Sequence, residues 1–268
     1  MAIKKIRYSV LLFLYFSVTS YGQRYAIMGA LDQEINLLVE NLQKKEKSQK
    51  GGIDFFTGEL VGVPVVICKV GVGKVNAAYS TAVLTQNFDL KGLIFTGVAG
   101  GLHPEALPGD MVIGEAVLQY DLGRIDSSGY FTVWPFRKIA GGNFTELAIP
   151  ADKYLLELAQ KAANKVVFKA VAGRKPMVFT GIIGTSDLFV SNTEKARWIF
   201  TEFGAIATEM EGAAVGHVCR SIGLPFIVLR SCSDNANNQA QLNFSQFVGP
   251  AASNSSQLVL GMLQEVRN

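Results

Sequence analysis

AIATEMEGAAVGHVCRSIGLPFIVLR, residues 205–230, decides the fold class. Ala205 to Glu209 is a short strand pattern, Glu211 to Ile222 spaces its apolar residues as a helix does, and Pro225 to Arg230 is a second, almost wholly apolar strand. The predicted order is strand, helix, strand. A strand that is apolar throughout, rather than alternating, belongs in a sheet covered on both faces. Such sheets bind ligands beyond the carboxyl ends of their strands, which draws attention to Glu209 and Glu211.

The same alternation recurs outward from this unit. Arg24 to Gly29 predicts a strand feeding a helix that carries Ile35, Leu37, Leu38 and Leu42. Phe55 to Leu60 and Val63 to Val70, joined by Val61-Gly62, predict a hairpin. Lys74 to Asn87 is a helix candidate, and Gly92 to Thr96 a buried strand closed by Gly97-Val98-Ala99-Gly100-Gly101. Further on come a strand at Met111 to Tyr120, a helix from Ala151 to Asn164 and a β-rich stretch from Lys175 to Val190. A helix at Thr193 to Phe203 and a final helix from Phe244 complete the pattern. Asp121 to Ile149, with Gly123, Gly129, Pro135, Gly141 and Gly142, is a long excursion from a single domain.

The first 22 residues differ from the rest. Lys4, Lys5 and Arg7 precede the apolar centre Leu11 to Phe16, and Ser20-Tyr21-Gly22 supplies the small residues that a signal peptidase requires. We expect residues 1–22 to be a cleavable leader, the mature chain to begin near Gln23, and the protein to be exported. The run is too short for a stable membrane anchor. Its removal takes three positive charges from a net charge of +3, leaving a chain with no basic excess to recruit nucleic acid or an anionic membrane.

Cys68, Cys219 and Cys232 each lie in an apolar element, where a reduced buried thiol is expected. With two histidines, His103 and His217, and no close ligand cluster, no metal or other cofactor is expected. Asn143, Asn243 and Asn254 each begin an N-glycosylation sequon, which has meaning only in a eukaryotic source.

Val70-Gly71-Val72-Gly73-Lys74-Val75 resembles a phosphate loop but lacks the earlier glycine and the Ser or Thr after the lysine. It is better read as backbone that must approach something closely. The carboxylates say more. Glu34, Glu209, Glu211 and Asp234 all fall at or just past the ends of apolar strands. One carboxylate at a helix start can simply favour the helix dipole; four at strand ends suggest a site.

In order along the chain come Met28-Gly29-Ala30-Leu31-Asp32-Gln33-Glu34-Ile35, Gly71-Val72-Gly73-Lys74-Val75-Asn76-Ala77-Ala78 and Thr96-Gly97-Val98-Ala99-Gly100-Gly101-Leu102. Pro108-Gly109-Asp110-Met111-Val112, Gly184-Thr185-Ser186-Asp187-Leu188-Phe189-Val190, Thr208-Glu209-Met210-Glu211-Gly212-Ala213-Ala214 and Val228-Leu229-Arg230-Ser231-Cys232-Ser233-Asp234 follow. This ordered set resembles the methylthioadenosine/S-adenosylhomocysteine nucleosidases of the nucleoside phosphorylase superfamily. The resemblance implies a three-layer α/β/α sandwich around a mixed, partly barrel-like sheet. It also implies a homodimer whose active-site rim is shared between subunits.

By position, the resemblance makes Glu34 the activator of water, Glu211 the ligand of the ribose hydroxyls and Asp234 the group that binds and protonates the purine. Phe189 would stack on the base, the Val190 backbone would read its edge, and Met210 would lie against the sugar. Glu209 and Arg230 would help to hold water or hydroxyl near the reacting carbon, and Val72, Val98, Gly100 and Ser233 would complete the substrate site. Three carboxyl groups suit a reaction that needs a protonated leaving base, a stabilised sugar cation and a delivered water. An Asp at the base also favours a 6-amino purine, hence adenine.

Two departures leave the 5′-substituent open among methylthio, homocysteinyl, deoxy and hydroxyl. Val98 stands where the family often has Ser, and the segment after Tyr120-Asp121 lacks a His common in the rim. A nucleoside phosphorylase is the alternative reaction; it needs cations for phosphate, and the turn Gly29 to Glu34 carries two acids and no base, although Arg124 could reach in. A secreted storage protein of the same fold is the alternative of another class. Retention of Glu34, Glu211 and Asp234 together argues against it.

Overall fold

In the computed structural model, which describes residues 23–129, 131–137 and 146–267, side-chain alternation along neighbouring strands sets the layers. The first half comprises β1 (Arg24–Gly29), α1 (Asp32–Glu40), β2 (Gln43–Lys50), β3 (Ile53–Leu60), β4 (Val63–Lys69), α2 (Lys74–Asn87), β5 (Leu90–Gly101) and β6 (Met111–Gln119). The second comprises β7 (Gly123–Ile125), β8 (Phe131–Val133), β9 (Ile149–Pro150), α3 (Lys153–Ala163), β10 (Val178–Thr185), α4 (Thr193–Phe203), β11 (Ala205–Glu209), α5 (Gly212–Ile222), β12 (Phe226–Asp234) and α6 (Ala240–Arg267).

On β1, Tyr25 and Ile27 face one way, Ala26 and Met28 the other; the parallel strand β4 divides Val65 and Ile67 from Val66 and Cys68 in the same manner. The first set packs beneath α1, α3 and α6, with Leu38, Leu155, Leu258 and Met262. The second packs beneath α2 and α5, with Leu84 and Val215. The result is a sheet between two helical layers, as the apolar strands required. Ile27, Leu38 and Ile67 have no exposed surface, so truncating any one to Ala is expected to destabilise by about 2–5 kcal/mol.

The main sheet has ten strands, in the order β11-β10-β6-β12-β5-β1-β4-β3-β2 with β9 beside β6. Its pairings are mixed: β5 is parallel to β1 and β12, whereas β12 is antiparallel to β6. β11 also pairs antiparallel with the far end of β5, through Ala207 with Gly101 and Thr208 with Gly100. That extra pairing closes one end of the sheet into a partial barrel. It also gathers the ends of β5, β11 and β12 in one place.

The structure differs from the sequence reading in four elements. β5 continues through the glycine-rich segment to Gly101 instead of stopping near Thr96. β2 was not expected; every residue of this strand is exposed, and it is held by backbone pairing with β3 at the sheet edge. In the β-rich stretch only Val178–Thr185 is strand, and the last helix starts at Ala240 rather than Phe244. The excursion after Tyr120 contains the small hairpin of β7 and β8.

The three cysteines are buried and unpaired, and burial pushes the Cys68 thiol up to about 12 and the other two up as well. Asn254 is fully buried and its amide bonds the Lys169 backbone, so its sequon is inaccessible in the folded chain. The leader and the Asn143 sequon lie outside the described residues. Among the described residues no helix is long and apolar enough to cross a membrane.

Candidate active site

A cleft of about 460 Å³ opens where β1, β5, β11 and β12 end. Glu34, Glu209, Glu211 and Asp234 all line it, and each is at most 6% exposed. The strand-end pattern therefore marked one shared site.

Glu34 lies in the first turn of α1, where its carboxylate folds back to accept the N–H groups of Ala30 (2.6 Å) and Leu31 (2.8 Å). Its other oxygen accepts Val98 N–H at 2.9 Å. Capping the helix and facing the cleft are thus both done by one side chain. Burial pushes the Glu34 pKa above its ordinary value, although Arg230 and the three amides pull the other way. Gly97 makes this approach possible: a Cβ there would sit 2.5 Å from Glu34 Oε1 and 2.8 Å from Arg230 Nη1.

At the floor, Arg230 donates to Glu209 at 2.5 Å and lies 3.8 Å from Glu211. Its guanidinium also rests over the Phe95 ring, 4.3 Å from the centroid. Glu209 further accepts Glu211 N–H (3.1 Å), Gly212 N–H (2.7 Å) and the Thr185 hydroxyl. That leaves Glu211 with Gly73 N–H at 2.7 Å and a share of a cation already committed elsewhere. Burial and the Glu209 charge push Glu211 up to about 8 against the pull of Arg230.

Asp234 ends β12 at the opposite part of the cleft. It accepts Ala236 N–H and the Ser233 hydroxyl, each at 2.8 Å. Burial outweighs both bonds and raises its pKa.

Apolar side chains make the walls. Phe189 meets Phe244 edge-on at 5.7 Å, and Val72, Val98, Val190 and Met210 line the cleft, as do Gly100 and Ser233. Of the residues expected at the site, Arg230 alone does not line it; it lies behind Glu209 and Glu211, a buried counter-charge with no exposed face to offer. Arg124 is exposed on β7 and is also absent from the lining. Sequence reading missed Leu31, Thr208, Gln241 and Phe244 as lining residues. Leu31 follows directly from its place in the turn before Glu34, but Gln241 and Phe244 arrive from a helix distant in sequence and carry no local signal.

A family model described as the phosphorylase superfamily matches residues 24–264. The 5′-methylthioadenosine/S-adenosylhomocysteine nucleosidase of Geobacillus thermodenitrificans is 34% identical over 244 residues, covering 91% of this chain and 97% of the relative. The chain belongs to the 5′-methylthioadenosine/S-adenosylhomocysteine nucleosidase family of that superfamily. Like this nucleosidase-family chain, the Neisseria meningitidis enzyme in complex with methylthio-immucillin-A has the same fold, with a TM-score of 0.78 and 32% identity over 91% of this chain and 99% of that one. The futalosine hydrolase of Helicobacter pylori is also similar, with a TM-score of 0.76 and 29% identity over 91% and 98% of the two chains. The nucleosidase fold thus carries more than one named activity.

Proposed function

We propose that the protein hydrolyses the bond between adenine and ribose in an adenine nucleoside, releasing the free base. The observation that carries this reading is the charge of the cleft: four carboxylates line it and, among the described residues, no Lys or Arg does. A phosphate dianion placed there would meet like charge without a compensating cation, whereas water meets none of that penalty. Asp234, whose pKa burial raises, would supply the proton to the departing purine. Glu211 accepts hydrogen bonds from the ribose hydroxyls, and Glu34 takes a proton from the attacking water. Phe189 and Phe244 supply an aromatic wall for the base.

Arg230 acts in this scheme from behind, holding Glu209 and Glu211 in place instead of contacting substrate. The substrate named for the relatives, 5′-methylthioadenosine or S-adenosylhomocysteine, is the first choice here; the apolar side chains of Leu31 and Val72 in the cleft suit an apolar 5′-group. The decisive experiment compares adenine release in phosphate-free buffer and in saturating phosphate. Unchanged release with free sugar as product supports hydrolysis. Dependence on phosphate with ribose 1-phosphate as product would establish a phosphorylase, and no release from any adenine nucleoside would favour a storage or binding role.

Two features of the whole protein belong to the same proposal. Residues 1–22 are removed on export, which intact-mass measurement of exported material tests; retention of Met1 to Gly22 refutes it. The protein works as a homodimer, a reading supported by exposed Val75 and Tyr79 on α2 and Ile125 on β7, which are 80%, 54% and 69% accessible. Sedimentation giving a monomer at working concentration would refute that.

A further inference from the structure

Lys74, the residue of the glycine-rich turn that the phosphate-loop reading left without a task, sits at the centre of a small ionic circuit. Its ammonium bonds Asp121 at 2.6 Å and lies 3.7 Å from Asp187. Its backbone N–H donates to Asp187 Oδ1 at 2.8 Å, and the Asp187 N–H donates to the other Asp121 oxygen at 2.9 Å. The circuit therefore ties together the start of α2, the residue just beyond β6 and the loop just beyond β10. Lys74 and Asp121 side chains are only 18% and 21% exposed, so this pair meets in a partly desolvated setting where it interacts more strongly than on an open surface, whereas Asp187 is 48% exposed.

Both ends of the circuit reach the cleft. Gly73, immediately before Lys74, donates its N–H to Glu211 at 2.7 Å. Asp187 is followed directly by Leu188, Phe189 and Val190, three residues of the cleft wall. Gly73 adopts φ 96°, and a Cβ there would stand 3.2 Å from Asp187 Oδ1, so the turn and the loop are in close register. Without the ammonium, the Asp121 and Asp187 carboxylates would face each other unneutralised. Their repulsion would push the loop from the turn and disturb Glu211 and Phe189 together.

We propose that Lys74 is a positioning residue that, through Asp121 and Asp187, fixes the Gly73 donor on Glu211 and the Phe189 loop in a single geometry. The assignment rests on the nucleosidase reading above, because its effect passes through the group that grips the ribose. The test uses the intact protein with 5′-methylthioadenosine and with its 2′-deoxy counterpart. For Lys74→Met, kcat/KM for the ribonucleoside is expected to fall roughly tenfold to 10²-fold, the scale of a small misplacement of a positioned group. The fall for the 2′-deoxynucleoside should be smaller by at least about threefold, because that substrate has already lost one hydrogen bond to Glu211.

Lys74→Arg, which keeps the cation, should recover most of the loss. Adding Asp121→Asn to Lys74→Met should recover part of it, because the facing charges are no longer alike. Equal losses on the two nucleosides, or a deeper loss on adding Asp121→Asn, would overturn the proposal and leave the nucleosidase reading standing. Absence of adenine release by the wild type from either nucleoside would overturn both. A melting temperature for the double variant close to that of wild type, alongside partial recovery, separates positioning from folding.

Discussion

The two ends of the cleft use the same residue type under opposite conditions. At one end, Glu34, Glu209 and Glu211 surround one fully buried arginine, and Glu209 takes its strongest contact. At the other end, among the described residues, Asp234 has a backbone amide and the Ser233 hydroxyl as hydrogen-bond partners and no cation. Arg230 and Asp234 both come from β12, so one strand supplies the counter-charge to one end and the lone acid to the other. What a carboxylate can do here is set by its neighbours, because burial alone favours the neutral form and only a committed cation or several donors restore the charge.

Removing the cation should have the largest effect. Arg230→Met would leave several buried carboxylates uncompensated and is expected to destabilise the protein by about 3–5 kcal/mol, measured by denaturant unfolding. A loss under about 1 kcal/mol would mean that the Arg230 end is no more dependent on a counter-charge than the Asp234 end. Next, Asp234→Asn keeps a side chain of the same shape but cannot donate the proton, so adenine release should fall on the order of 10²-fold or more. Release within threefold of wild type would erase the distinction drawn for that end. Glu34→Gln should reduce turnover on a similar scale while nucleoside binding survives, although its single acceptor oxygen cannot take both the Ala30 and Leu31 amides and the Val98 amide. Equal losses of binding and turnover would count against a role in activating water.

The comparison also has a pH signature. Glu211 titrates in the folded protein near 8, above its ordinary 4.5, so its neutral form is favoured by folding. Its contribution to stability is complete below 4.5 and is lost as pH rises through about 8. Melting temperatures of the unliganded protein should therefore contain a decline across that window that Glu211→Gln lacks. Raised Asp234 gives activity the same direction: kcat/KM should fall as pH rises through the value at which this acid loses its proton. The smallest effect is expected at Val98, whose amide serves Glu34 but whose side chain offers no hydroxyl. Val98→Ser should change kcat/KM by about threefold to tenfold, the worth of one hydrogen bond.

The layered α/β architecture was legible in the sequence because apolar runs alternating with helical spacing can be buried in few other ways. So was the gathering of Glu34, Glu209, Glu211 and Asp234 in one cleft, since each lies at the end of an apolar strand or in the turn just past it. β2 was not legible: Gln43 to Lys50 has no apolar alternation, and pairing with β3 makes it a strand, through backbone groups and the Lys44–Glu59 and Lys47–Asp54 ion pairs. Nor was the continuation of β5 past Thr96. Its glycines lower any local strand preference, and their extended course is imposed by pairing with β11 and β12.

By itself, then, the sequence determined which chain segments would be buried and which acids would stand at strand ends, because hydrophobic periodicity and composition are local properties. Only the tertiary structure decided how those acids divide. Pairing of β5 with β11 brings Thr208 and Gly100 together, packing of α6 adds Gln241 and Phe244 to the cleft wall, and Gly97 admits Glu34 and Arg230 side by side. A residue's charge state and access depend on what surrounds it in space. Arg230, which the resemblance sets beside the water or hydroxyl near the reacting carbon, is buried behind Glu209 and Glu211 and off the cleft lining.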